Sequence, residues 1–451
     1  MSFQTECLAC GRDGLVEVLN LGDQHPVNAL KSAQVESTRY PLRLVSCTNC
    51  GHAQQAYLVE PTELFSDYFY ASSTSTSLDE YSRQFVETVS KALGAKLRVL
   101  EIASNDGILL KYLSGAGFQA TGIDPASRMV ERAILLGLNA IEGFWPDAAP
   151  KLAGARFDLI IGQNVLAHTP DPVNFLKGVE EALAEGGLAI FQTSQADMVL
   201  RNEFDTIYHE HSSFFCENSA REAGARAGLK LLGTAYTPIH GTSPLFIFGR
   251  NDKSLNRANQ PITKFGAEFP TSNTGISPLA ARLRSSRLKN DWAEFGIAAN
   301  AIITQLSEKA IEVQVGEQKV VAVGASAKGI TALRAAGIDA DGLVDEAQDK
   351  IGMFVDGISK PISSLENELL LDDCVFFFTA WNILRELSQR LISRGVSPSS
   401  QAVLFLPVVR QVRLEWLSNQ DWRPTGPSPA LSMSSNEVYW LRSSPWGRCR
   451  R

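Results

Sequence analysis

From residue 98 onward, short runs of consecutive apolar residues alternate with segments whose apolar positions recur every three or four residues. RVLEIA, QATGID, FDLIIGQN and LAIFQTS read as buried strands, and DGILLKYLSGAG, SRMVERAILLG and DPVNFLKGVEEALAEGG as the helices between them. Repeated strand–helix–strand units require a parallel sheet with helices packed on it. Upstream, Tyr81, Phe85, Val86, Val89 and Leu93 fall near a 3.6-residue period within 77–96, with Ser77 as a cap, so a helix leads into this region. The first 75 residues show no helical period; short strand-like stretches such as VEVLNLG and YPLRLVSCTNCGHAQQAYLV are separated by turns.

The polar, breaker-rich stretch 250–275 reads as a domain boundary. A long helical run, AEFGIAANAIITQLSEKAIEV, follows it, and a second strand–helix series opens at QKVVAVGASAKGITALRAAGI. The pattern therefore predicts an α/β protein in four parts: a lobe over 1–75, a first α/β domain over 76–250, a second over 251–410, and a tail over 411–451. The tail holds four of the seven tryptophans and receives no assigned element.

Composition narrows the partners. With 451 residues and 44% hydrophobic content the chain is long enough for several cores. A net charge of -7 without a basic block argues against nucleic acid. No run approaches the length of an apolar membrane span, and the start MSFQTECLACG lacks the features of a secretory leader, so a cytoplasmic location without a membrane partner is expected. A monomer is expected as well. Of the seven cysteines, Cys7, Cys10, Cys47 and Cys50 form two C-x2-C pairs. In a reducing compartment that spacing indicates metal rather than disulfides, and four thiolates match a closed, structural zinc site. A nucleic-acid zinc ribbon would add a basic cluster, which this lobe lacks.

RVLEIASNDGILL combines a strand, a tight turn at Asn105, Asp106 and Gly107, and a helix start, an arrangement whose backbone amides suit a polar or anionic ligand group. The following strand ends at Asp124, where an acidic side chain commonly takes ribose hydroxyls. The turn lacks the G-x-G-x-x-G of nicotinamide-cofactor proteins, which favours S-adenosylmethionine. The pattern resembles the class I methyltransferase signature, with Glu101 as the acid opening the loop and Ala103 at the usual first loop glycine. Phe144 and Trp145 either flank the adenine or pack in the core. GQNVLAH, with Asn164 and His168, lies at the strand edge where ligands of such sheets sit.

FDTIYHEHSSFF is the densest concentration of chemistry, with Tyr208, His209, Glu210 and His211 in succession. On one extended strand Tyr208 and Glu210 would face one way and His209 and His211 the other, so a single site requires a turn. An i, i+4 histidine pair for a helical metal site is absent.

The two cysteine knuckles, YFYASSTSTS, EIASNDGILL, FDTIYHEHSSFF, IHGTSPL, GASAKGITALRAAGI and FTAWNILREL together resemble the three-domain C-methyltransferases that act on nucleotide-linked 4-keto-deoxysugars in antibiotic and surface-polysaccharide pathways. The resemblance extends from residue 5 to about 408. It implies a zinc-binding N-terminal lobe, a central class I methyltransferase Rossmann-like domain and a C-terminal second Rossmann-like domain, with a nucleotide sugar as substrate. It also implies His211 as general base, Glu210 beside it, Tyr208, Tyr70 and His168 near the sugar, and His240 at another recurrent position. The turn carrying Lys328 corresponds to a nucleotide-side loop; bottom-up, its amides and ammonium suit a diphosphate, or form an ordinary strand-to-helix turn. The chain departs from the family where Glu-x-Pro-Tyr becomes Gln192-Thr193-Ser194-Gln195, and where HGGS becomes His240-Gly241-Thr242-Ser243 followed by Pro244. An O- or N-methyltransferase of another metabolite and a non-catalytic nucleotide-sugar binder are the competing readings.

Overall fold

The computed structural model describes residues 2–34, 37–65, 72–74, 76–193, 198–199, 201–237, 239, 243–268, 288–367 and 373–419. Tyr70 and His240, and Ser194 and Gln195 among the departures, lie outside the described residues. The chain divides into two compact units, each assembled from three separated stretches. Unit 1 comprises 1–16, 46–196 and 211–286; unit 2 comprises 17–45, 197–210 and 287–451. Two strands, β1 (Leu15–Gln24) and β2 (Tyr40–Cys47), each have one end in unit 1 and the rest in unit 2.

In unit 1, β3 (Ala53–Gln55) follows the cysteine lobe and α1 (Thr76–Leu93) introduces the main sheet. That sheet uses β4 (Arg98–Ile102), β5 (Gln119–Asp124), β6 (Ala140–Glu142), β7 (Phe157–Gln163), β8 (Leu183–Gln192), β10 (Lys230–Thr237) and β11 (Ser243–Gly249). Helices α2 (Ile108–Gly115), α3 (Ser127–Leu135), α4 (Pro172–Ala182) and α5 (Glu217–Arg226) connect them, and the short β9 (Ser213–Phe214) precedes α5. The strand order is β10-β11-β8-β7-β4-β5-β6, all neighbours parallel except those of β11. The order reverses between β4 and β7, the crevice where open α/β sheets bind ligands.

Alternation along β7 and β8 builds two apolar layers, since successive side chains leave opposite faces. Leu159, Ile161, Leu188 and Ile190 meet Phe85 and Val89 of α1, while Ile160, Ala189 and Phe191 meet Phe175 and Leu176 of α4. The first layer also contains Ala258 and Phe265 from a helix over Asp252–Glu268, α6, with the Phe265 and Phe85 rings 5.2 Å apart. Part of the polar stretch 250–275 is thus a helix packed within unit 1. Ser254, Ala258 and Phe265 share one buried helical face, and that burial outweighs the polar composition and Pro261.

In unit 2, α7 (Leu288–Val315) leads into β12 (Lys319–Val323), α8 (Ala327–Ala335), β13 (Gly342–Val344), β14 (Ile362–Ser363), β15 (Cys374–Phe378), α9 (Leu384–Ser393), β16 (Gln401–Leu404) and β17 (Arg410–Arg413). The order β14-β13-β12-β15-β16-β17 is parallel up to its final, antiparallel strand. Thus β17 and a short helix over Leu414–Ser418 give structure to the start of the tail. Residues 17–45 contribute a buried ionic cluster to this unit. Asp356 accepts from Lys31 Nζ at 3.2 Å and Ser37 Oγ at 2.5 Å, and Arg334 donates to the carbonyls of His25 and Asp356 at 2.6 and 2.8 Å. No helix among the described residues is long and apolar enough to cross a membrane.

Candidate functional site

The four knuckle cysteines converge in unit 1. Cys7 Sγ lies 3.6 Å from Cys50 Sγ and Cys10 Sγ 3.7 Å from Cys47 Sγ, and all four sulfurs fall within 4.8 Å of one another. Tetrahedral zinc with ~2.3 Å bonds places its sulfurs about 3.8 Å apart, so the donor set fits that ion, and four buried thiols leave no position for water. The knuckles close through Gly11 N to Cys7 O at 2.7 Å and Gly51 N to Cys47 O at 3.0 Å.

The donor loop follows β4. Ala103 and Asn105 adopt positive φ of 61° and 48°, and Gly107 of 85°. The Ala103 and Ser104 amides donate to Ile123 O at 2.8 and 3.1 Å, which locks the turn to the end of β5. Close packing is enforced at Gly122, where a Cβ would stand 2.5 Å from Ser104 Oγ. The Asp124 carboxylate accepts from the amides of Asn105 at 2.8 Å and Ala126 at 2.9 Å. Each carboxylate oxygen keeps a further lone pair for a ligand hydroxyl. Buried Glu101 has one carboxylate oxygen, Oε2, without a partner. Burial first, then Asp124, pushes the Glu101 carboxyl well above its ordinary range, and burial raises Asp124 too. Two acids held high in a partly dry crevice favour a cationic ligand, which a sulfonium donor with an ammonium group is. Asp106 is already engaged, taking Ser73 Oγ at 2.5 Å, and Asn105 Oδ1 accepts the Ser72 amide at 2.9 Å. Phe144 is half-buried after β6, whereas Trp145 Nε1 donates to Phe175 O at 3.1 Å and belongs to the core. Asn164, at φ 56°, leaves β7 with its amide on Gln192 O at 3.0 Å.

His168 follows on a short turn after β7 and meets His211. The two rings lie 4.9 Å apart, nearly perpendicular at 83°, and His211 also stands edge-on to Phe214 at 5.9 Å. Burial lowers His168 to about 4, so its ring is neutral near neutral pH. Residues 208–210 bend and turn, and the strand begins only at Ser213. Alternation along an extended strand is therefore not what sorts these side chains.

In unit 2, His209 Nε2 meets Tyr40 O at 3.2 Å, and Glu210 Oε1 accepts from Asn28 Nδ2 at 2.9 Å while its Oε2 is buried without a partner. Burial raises the Glu210 carboxyl. Tyr208 is half-buried in the turn. Lys328 opens α8, whose N-cap Ser326 accepts from Gly329 N at 3.1 Å. Its ammonium sits 3.5 Å from Glu203 Oε2 and 4.8 Å from the Trp381 ring centroid. The Lys328 charge is thus already paired within the unit, and the turn's acid, Asp345, accepts Ala325 N at 2.7 Å and lies 3.3 Å from Lys350 Nζ.

Sequence reasoning singled out Gln192 only as a departure from the family pattern and missed that it belongs to a row of uncharged polar groups at the sheet edge of unit 1. Gln163 and Gln192 are register partners on β7 and β8, continuing the α1-facing apolar layer to its carboxyl-terminal rim. Tyr81 Oη lies 3.3 Å from Gln163 Oε1, and the amide nitrogen of Gln163 and both polar ends of Gln192 are buried without a partner. The signal was visible as amides ending two otherwise apolar strands, FDLIIGQ and LAIFQ.

This geometry agrees with the comparisons. The "Methyltransferase domain" family model matches residues 76–233, "Putative zinc binding domain" matches 7–65, and "C-methyltransferase C-terminal domain" matches 280–407. The protein is a class I methyltransferase that uses S-adenosylmethionine as donor, with zinc as its metal. More narrowly, the chain belongs to the C-methyltransferases that join these three domains. It is similar to the C-methyltransferase NovU of Streptomyces niveus, at 26% identity over 394 residues, 85% of this chain and 91% of that protein. The ubiquinone biosynthesis O-methyltransferase of Bordetella pertussis is 27% identical over 175 residues, 34% of this chain and 72% of that one. Among solved structures, the magnesium protoporphyrin IX methyltransferase of Synechocystis with bound SAH shares 16% identity over 39% of this chain and 88% of that one, with a TM-score of 0.32.

Proposed function

We propose that the enzyme removes a proton from the carbon next to the ketone of a nucleotide-linked 4-keto-deoxysugar and methylates that carbon, with His211 as the base. The His168–His211 pair carries the reading: two imidazoles far apart in sequence meet in the same unit as the donor loop. Carbon beside a ketone needs a base to become nucleophilic, and an imidazole with an ordinary pKa near 6.5 suits that task. His168 is neutral, so it does not oppose the positive charge that His211 gains on taking the proton, and one ring N–H remains to donate toward the enolate oxygen. Gln163, Gln192 and Tyr81 offer donors and acceptors without charge, which fits the hydroxyls of a sugar better than a carboxylate or amine. Glu101 and Asp124 orient the donor by its cationic and ribose groups, and when bound the donor supplies an electrophilic methyl. Tyr208, Glu210 and Lys328, with Tyr70 and His240, are proposed to serve the sugar and its nucleotide. The enzyme is proposed to act in the cytoplasm, as a monomer.

The test combines the full chain with S-adenosylmethionine and a dTDP-4-keto-6-deoxysugar, following methyl transfer and exchange of the α-proton with solvent. His211→Ala is expected to lose both, while Asp124→Ala weakens donor binding about 10–100-fold through loss of charge-assisted hydrogen bonds. Methyl transfer to oxygen without solvent exchange, or an active His211→Ala, would overturn the assignment.

A further inference from the structure

The metal knuckle and the segment carrying His211 are joined in unit 1 by more contacts than a passive brace requires. Leaving Cys50, the chain passes Gly51 to His52, which is fully buried; its Nε2 lies 3.2 Å from Ser213 Oγ, and its ring lies 4.6 Å from the ring of Phe215. Immediately afterwards β3 pairs antiparallel with β9, Gln54 opposite Ser213 and Ala53 opposite Phe214. The Gln55 amide donates to Ser212 O at 3.0 Å, one residue from His211. On the far side of β9, Cys50 O accepts from Asn218 Nδ2 at 3.1 Å and from Cys216 Sγ at 3.5 Å. The second knuckle and the strand that follows it thus grip residues 212–218 from both ends. The knuckle itself is fixed to β3 through Cys47 N to His52 O at 2.7 Å.

We infer that His52 and Ser213 are positioning residues for His211, so that the zinc knuckle sets where the base stands as well as holding its own lobe. The inference rests on reading His211 as the base. His211 follows a turn in irregular chain, and its own segment supplies no regular structure before Ser213. The ring reaches His168 only if the start of β9 stays in register with β3. The His52–Ser213 bond is the side-chain contact that reports this register, because a one-residue slip of β9 would put Ser213 on the opposite face of the ladder. A displacement of about 1 Å at a reacting group costs on the order of 100-fold in rate, so a weak constraint two residues away is felt in kcat.

The experiment uses the full-length, zinc-loaded enzyme with Ser213→Ala, His52→Ala and His52→Gln, and His211→Ala as control. Zinc content, donor Kd, kcat and KM are measured, and the His211 imidazole signals are assigned in the NMR spectrum by their absence in His211→Ala. Ser213→Ala and His52→Ala are expected to lower kcat by about 10-fold or more, with KM and donor Kd within about 2-fold and zinc retained. The His211 signals should shift, and His52→Gln, whose amide can donate or accept near the Nε2 position, should recover part of the rate. Wild-type kcat with unmoved signals overturns the inference, as does a lower kcat with unmoved signals or one that follows loss of zinc. If the signals move while kcat does not, and His211→Ala is active, the positioning stands and the assignment of the base fails.

Discussion

Three buried histidines carry much of the acid sensitivity. Burial lowers His52, His168 and His209 to about 4, below the ordinary imidazole value. The folded state therefore binds fewer protons than the unfolded chain between about pH 6.5 and 4. Stability is complete above the unfolded pKa and falls as pH drops toward the folded one, by about 1.4 kcal/mol per pH unit for each such group. His209→Gln keeps a donor for Tyr40 O and cannot titrate. It is expected to flatten the dependence of the urea midpoint between pH 6.5 and 4 by one proton's worth, and an unchanged slope would show that His209 is not held neutral. At this scale the sequence was legible where spacing reports chemistry: the two cysteine pairs meet, and Asp124 lies at the loop it was expected to serve. It was not legible for the ion pair that Lys328 makes: Glu203, which stands beside its ammonium, comes from a distant stretch that no local pattern connects to it. Nor does residue type foretell which carboxyl a fold raises: burial pushes Asp205 up to about 6 while Trp381 Nε1 donates to it.

Among the elements, strands were the most readable and amphipathic polar helices the least. Core strands such as FDLIIGQ announce themselves by being apolar on both faces, which only a sheet covered by helices allows. The helix over Asp252–Glu268 hides because its buried face is sparse and Pro261 interrupts its reading, so only tertiary packing reveals it. Phe265 is fully buried against Phe85, and Phe265→Ala should cost about 3–5 kcal/mol in the unfolding of unit 1. Donor Kd should stay within about 2-fold. A loss under about 1 kcal/mol would mean that this helix does not close the α1 side of the sheet. Between Tyr208 and Glu210 the chain bends and turns, as a single site there required, and the ladder starts only at Ser213.

For the whole molecule, the decisive fact is that neither unit is a continuous stretch of sequence. Arg334 is largely buried, and burial lowers it to about 10; one of its hydrogen bonds goes to His25 O, which a C-terminal piece lacks. A fragment spanning 287–451 is expected to be unfolded or aggregated by circular dichroism, and to gain cooperative melting only when 17–45 and 197–210 are supplied in the same chain. A fragment that melts cooperatively alone would contradict this. The same interleaving bears on biosynthesis. Lys31 and Ser37 emerge from the ribosome long before Asp356 exists, and at 5–20 residues per second the wait is on the order of tens of seconds. Through that interval β1 and β2, which are neighbours in one sheet, can already pair with each other, but the segment between them lacks its carboxylate anchor, so its final structure waits on the carboxyl-terminal part of the chain.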